Sequence, residues 1–259
     1  MQKISVTFKI LLWVMLFLGV MYQVNPARAS GPDDDLLEDN IYRNNYFSFQ
    51  LPIPNEWHIA DDQIIQNLQQ ATENLTEEKS GKIDYFLLLV SEYPAGTLSA
   101  SNPSMSIGAE NLSRFAGVSN GQEYLSQLSK GLAKQTIYEI GEIYEYPLDG
   151  KPFYRLDLEV NTQLGTVRQS YIAMASKEYV VNFVLTSKTE EEMSRLENII
   201  VSGNYESMST EVSGVRLKSN SSLQGVLGLG LILGAGVLMI IGQWLKRRKV
   251  KKLTEVENT

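Results

Sequence analysis

Residues 223–245 run for 23 positions without a charge, and their only strongly polar side chains are Gln224 and Gln243. An α-helix of that length, at about 1.5 Å per residue, reaches about 34 Å, enough to cross a hydrocarbon core of about 30 Å with some tilt. Trp244 stands where an interfacial aromatic belongs. Lys246, Arg247, Arg248, Lys249, Lys251 and Lys252 follow at once, six basic residues in seven positions. Such a cluster beside a membrane helix marks the cytoplasmic side and also suits anionic lipid headgroups. The chain is therefore expected to meet a lipid bilayer as a single-pass protein with a basic cytoplasmic tail at 246–259. Gly230 and Gly234 form a small-xxx-small pair, a face through which such a helix can form a homodimer. Glycine is common in membrane helices generally, so the pair alone does not decide for a dimer.

The other end carries a second targeting signal. Lys3 and Lys9 precede an apolar run, Ile10–Val24, and Ala27-Arg28-Ala29 supplies small residues before a cut. Basic start, apolar middle and small-x-small ending describe a secretory signal peptide over 1–29, with Ala27 and Ala29 at the cleavage site. Fifteen helical residues cover only about 22 Å, which is short for a span. Either way the segment 30–222 is sent across the membrane. It holds 14 basic and 28 acidic residues, a local charge of -14 inside an overall -7, and no basic stripe, so nucleic acid is excluded as a partner.

Between the targeting segments the reading is an acidic lead-in at 30–39, a folded domain at 40–206, and a polar stalk at 207–222. Phe47, Phe49 and Leu51 alternate with polar residues and end at Pro52, which predicts a strand. Asp61 or Asp62 caps a helix carrying Ile64, Ile65 and Leu68. The run Phe86–Val90 suits a strand covered on both faces. Residues 99–121 show no clear period and allow a short helix at 109–116. Ser119 or Asn120 caps a helix with Tyr124, Leu125, Leu128 and Leu132 on one side. From Ile137 the period becomes two, with turns at Asp149-Gly150, near Gly165 and at Lys177-Glu178, a meander of four antiparallel strands. Thr189 with Glu192 makes a capping box for a closing helix, whose first-turn acids favour the helix dipole rather than suggest chemistry. The fold class is α+β, an antiparallel sheet with helices packed on it.

Catalytic constellations are scarce. With no Cys and one His, thiol, zinc-ribbon and multi-His chemistry drop out, and no cofactor or metal is expected. Gly117-Val118-Ser119-Asn120-Gly121 matches a nucleophile elbow, but the only His, His58, precedes Ser119 rather than following it, and no clear strand leads in. Asp157 and Glu159 alternate with core residues and read as the wet face of a strand. Tyr138, Tyr144, Tyr146 and Tyr154 crowd the meander. Tyr suits sites with one apolar and one wet side, so these four are the candidate binding surface. Tyr138, Ile140, Tyr144 and Tyr146 are expected on one strand face.

The order Tyr46-Phe47-Ser48-Phe49-Gln50-Leu51-Pro52 followed by Trp57 resembles the opening strand and turn of the PsbP-like superfamily. Tyr171-Ile172-Ala173, then Tyr179-Val180-Val181-Asn182-Phe183 and the helix to Ile200, resemble its ending. The resemblance covers about 40–206. It implies an α/β/α sandwich around an antiparallel sheet, generally used for binding or assembly, and carries over no ligand residues. The membrane anchor departs from the family's soluble lumenal members. Three functions are expected from these readings. The first is a non-enzymatic, membrane-tethered domain that binds or helps assemble a protein partner. The alternatives are a surface hydrolase using paired carboxylates, and a receptor-like protein dimerising through its Gly-rich helix.

Overall fold

Alternating apolar residues build most of the domain, and the computed structural model describes residues 31–61, 63–67, 84–94, 102–162 and 165–212. The expected signal peptide with Ala27 and Ala29 lies outside the described residues. So do the expected span at 223–245 with Gly230 and Gly234 and the basic residues from Lys246 to Lys252. Among the described residues no helix is long and apolar enough to cross a membrane.

Two antiparallel sheets and two principal helices make a mixed α/β fold. The small sheet joins β1 (Asp35–Glu38), β2 (Ile41–Asn44) and β3 (Phe49–Pro52) in that order. Asp39 and Asn40, at φ 51° and 58°, make the two-residue left-handed turn between β1 and β2. The stretch expected as an acidic lead-in thus contributes a strand, because Asp35–Glu38 pairs residue for residue with Asn44–Ile41.

The large sheet contains β4 (His58–Ile59), β5 (Tyr85–Ser91), β6 (Ser104–Asn111), β7 (Tyr138–Glu145), β8 (Tyr154–Thr162), β9 (Gly165–Ser176) and β10 (Tyr179–Ser187). Its order is β4-β5-β6-β10-β9-β8-β7, so the C-terminal four strands form the expected meander, which docks against β6. Asp149 and Gly150, at φ 46° and 70°, and Lys177, at φ 56°, mark two of its turns. The central strand β10 is buried at every position.

Helix α1 (Gly121–Leu132) covers one face of the sheet, where Tyr124, Leu125, Leu128 and Leu132 meet Leu156, Val160, Tyr171 and Val184. Helix α2 (Glu190–Val201) and the small sheet cover the other. There Leu196 and Ile200 join Phe49, Leu51, Ile107, Phe183 and Leu185. Thr189 accepts from Glu192 N while the Glu192 carboxylate accepts from Thr189 N, completing the expected capping box.

Two local expectations are corrected and one is narrowed. Residues 109–116 do not form a helix of their own: β6 runs to Asn111 and a single 3-10 turn, Leu112–Arg114, follows. The α1 cap is Asn120, whose side chain accepts from Glu123 N at 2.8 Å, while Ser119 donates to the Glu123 carboxylate. The packed chain also continues past 206, since Met208 is buried and Lys177 N donates to Glu211 O at 2.9 Å.

Candidate binding cleft

Glycine inside a strand often marks a bulge, and Gly141 does so here. Ile140 pairs with Leu158 and Ile143 with Leu156, so Gly141 and Glu142 together oppose Asp157 alone. A Cβ at Gly141 would lie 2.8 Å from the Asp157 carbonyl oxygen, which only glycine avoids. The extra residue reverses the alternation of β7. Tyr138 and Ile140 therefore point toward α1, whereas Tyr144, opposite Arg155, points toward α2. The sequence expectation of one shared face for Tyr138, Ile140, Tyr144 and Tyr146 is overturned by this bulge.

On the α2 side, Tyr144 and Tyr146 flank the Arg155 guanidinium, with ring centroids 6.0 and 5.3 Å from Cζ. Arg155 Nε lies 2.8 Å from Asp157 Oδ1, and its Nη2 lies 2.6 Å from Glu197 Oε1 on α2. The same Nη2 donates to Ser170 Oγ at 3.0 Å, and Ser170 Oγ donates to Asp157 Oδ1. Tyr144 Oη donates to Asp157 Oδ2 at 2.7 Å. Burial works against the Arg155 charge, but the Asp157 and Glu197 carboxylates outweigh it and raise its pKa further. Burial, and then the bond to Asp157, push the Tyr144 hydroxyl up, so it remains a donor across the ordinary pH range.

A cleft of about 450 Å³ opens beside this cluster, lined by Arg155, Asp157, Ser170 and Met193 together with Glu139, Glu159, Arg168 and Glu190. Arg168 bridges Glu159 at 3.6 Å and Glu190 at the start of α2. Tyr144, bonded to the cleft-lining Asp157, is 43% exposed.

Of the four tyrosines expected as a binding surface, the structure brings Tyr144 and Tyr146 together. Tyr138 is buried under α1, and Tyr154 packs half-buried against the α1 core. Arg155, Ser170 and Glu197 were not expected here. Arg155 shares a strand face with Asp157 and Glu159, yet it is 8% exposed. Besides Asp157, its partners come from β9 and from a helix far along the chain, which spacing does not reveal. Gly141 was the one local signal. Elsewhere, His58 is exposed on β4 opposite Ser91, and a 3-10 turn rather than a strand leads toward Ser119. No group of three or more acidic or His side chains among the described residues could hold a metal ion.

No protein-family profile and no curated protein sequence matches the chain. Among solved structures it is similar to cyanobacterial PsbP (CyanoP) from Synechocystis sp. PCC 6803, at 12% identity and TM-score 0.40, covering 70% of this chain and 98% of that one. It is also similar to the Saccharomyces cerevisiae Ran-binding protein Mog1p, at 10% identity and TM-score 0.35, covering 66% and 97%. A third likeness is LpqN, involved in cell envelope biogenesis of Mycobacterium tuberculosis, at 13% identity and TM-score 0.33, covering 59% and 78%. All three are likenesses of overall arrangement at low identity.

Proposed function

We propose that this protein is a non-enzymatic, membrane-tethered binding or assembly domain of PsbP-like fold, whose Tyr144–Arg155 cleft takes a basic segment of a partner protein. The observation that carries the reading is Tyr144. Its ring is exposed, yet its hydroxyl is fixed by Asp157 and its face lies against Arg155. A rigid aromatic loses little entropy on binding, and aromatic anchors of this kind carry much of an interface's affinity. Around it, Glu139, Asp157, Glu159, Glu190 and Glu197 outnumber Arg155 and Arg168, so the rim is acidic. Such a rim complements Lys or Arg on the partner and speeds its approach.

The uncharged stretch at 223–245, with the basic residues after it, supports reading the domain as lying outside the cytoplasmic face. The PsbP-like assignment rests on the motifs at 46–57 and 171–200 and on the order of the elements. The hydrolase alternative gains no support from the cleft. Glycoside hydrolysis needs substrate between two carboxyl groups, and Arg155 already bridges Asp157 and Glu197.

A photo-crosslinking amino acid placed at Tyr144 of the full chain, in its own membranes, tests the reading. A discrete adduct that weakens as salt rises is expected, because exposed charge pairs are screened within about 10 Å at 0.1 M salt. Absence of any adduct at low salt overturns it. Protease treatment of sealed vesicles tests the orientation: cleavage of 246–259 from the side that leaves 30–222 intact is required.

A further inference from the structure

The strongest polar anomaly lies on the opposite face of the sheet, under α1. Glu110, near the end of β6, is 1% exposed. Tyr124 on α1 donates its hydroxyl to Glu110 Oε1 at 2.5 Å, and Oε2 has no partner among the described residues. One rung along the same face, Asn182 of β10 sits opposite Gly108. It too is 1% exposed, with both amide atoms unpartnered among the described residues. The titratable and charged groups that bear on Glu110 are Tyr124 itself, Arg114 in the 3-10 turn, and Asp84 ahead of β5. Arg114 and Asp84 pair with each other at 3.0 Å, and Tyr171 of β9 bears on Tyr124. No cation is bonded to the Glu110 carboxyl in this arrangement among the described residues.

An ionised carboxylate there would be a charge held by one hydrogen bond. Water would have to enter to solvate it. Tyr124 brings α1 over the carboxyl, and the first turn of the helix rests directly on β9, where a Cβ at Gly121 would fall 2.2 Å from the Ala173 carbonyl oxygen. Admitting water requires the helix to lift.

We propose that Glu110 is a proton-carrying latch between β6 and α1: with its proton bound, α1 closes on the sheet, and release of that proton to solvent favours the lifted helix. The ligand of this site is the proton. Burial raises the carboxyl from 4.5 to about 8, only partly opposed by the Tyr124 bond and by Arg114. The closed form therefore holds a proton that the open, solvated form gives up, and opening becomes easier as pH rises between these two values. From pH 6 to pH 9 the opening equilibrium of α1 should rise about a hundredfold.

The test uses the full chain in detergent micelles. The Glu110 side-chain carbonyl, identified by its loss in Glu110→Gln, is followed by carbon NMR through a pH titration. Hydrogen exchange of the α1 amides is measured for both proteins at matched pH, so that intrinsic exchange chemistry divides out. A midpoint near 8, with a rise in relative α1 opening that Glu110→Gln lacks, is expected. A midpoint between 4 and 5, or identical pH dependence in both proteins, overturns the proposal. If Glu110→Gln does not fold, the carbonyl is assigned through the Glu110 backbone resonances and Tyr124→Phe decides. Removing the donor to the carboxylate must move the midpoint higher, and an unmoved midpoint overturns the latch.

Discussion

Tyr144 on β7 and Arg155 on β8 stand directly opposite each other, with the guanidinium carbon 6.0 Å from the ring centroid and both side chains bonded to the same Asp157 carboxylate. One is exposed and the other buried. The pair therefore divides its work: Arg155 ties β8 to Ser170 on β9 and Glu197 on α2, and Tyr144 presents the result to the outside.

That division predicts two different phenotypes. Arg155→Ala leaves the Asp157 and Glu197 carboxylates without their shared cation. The cost of breaking a buried pair, discounted because Asp157 and Glu197 are 42% and 28% exposed, is about 2 to 3 kcal/mol. Tyr144→Ala removes an exposed ring and should change stability by less than about 1 kcal/mol while reducing partner capture at least tenfold. Urea unfolding and pull-down of both variants check the contrast, and equal effects on both readouts would contradict it.

Ser119 and Asn120 compete for the α1 cap in the sequence, and the structure gives the cap to Asn120. Asn120→Ala is expected to cost about 1 kcal/mol, the usual loss when an N-cap oxygen goes. Ser119→Ala removes only an exposed bond to Glu123 and should cost less than half as much. Thermal unfolding of the two variants distinguishes them, and the reverse order would reassign the cap.

Phe183 joins the two sheets. Its ring is fully buried and meets Phe49 at 5.7 Å, Phe153 at 5.9 Å and Tyr205 at 6.0 Å. Phe183→Ala opens a cavity at a point where four segments of the chain converge, with little room for collapse. A loss of about 3 to 5 kcal/mol follows, measurable as a lowered urea midpoint at unchanged slope.

Particular residues explain what the sequence did and did not reveal. The meander was legible because Ile137 onward alternates with period two and Asp149-Gly150 supplies a left-handed turn. The closing helix was legible because Thr189 and Glu192 cap each other locally. β6 was not, because its buried face toward α1 carries Ser106, Gly108 and Glu110. Small and polar residues there erase the apolar alternation on which strand reading depends. Arg155 was hidden for a related reason. Its neighbours Leu156 and Leu158 set an alternation that makes it look solvated, and only α2, packing from later in the chain, buries it. The tyrosine surface was half legible, since residue type pointed to it but one inserted residue decided which rings share a face.

Gly141 provides the sharpest test of that last point. The bulge at Gly141 and Glu142 puts Tyr144 on the α2 side, and the close approach to the Asp157 carbonyl oxygen admits no side chain. Gly141→Val must push β7 away from β8 or abolish the bulge. Overpacking of this kind costs about 1 to 3 kcal/mol. Losing the bulge has a further consequence, because a one-residue slip turns Tyr144 toward α1 and away from Arg155. The variant should therefore lose crosslinking at position 144 even where it remains folded by circular dichroism. Retained crosslinking in a folded Gly141→Val protein would mean that the bulge does not aim the tyrosine, and the cleft would need another anchor.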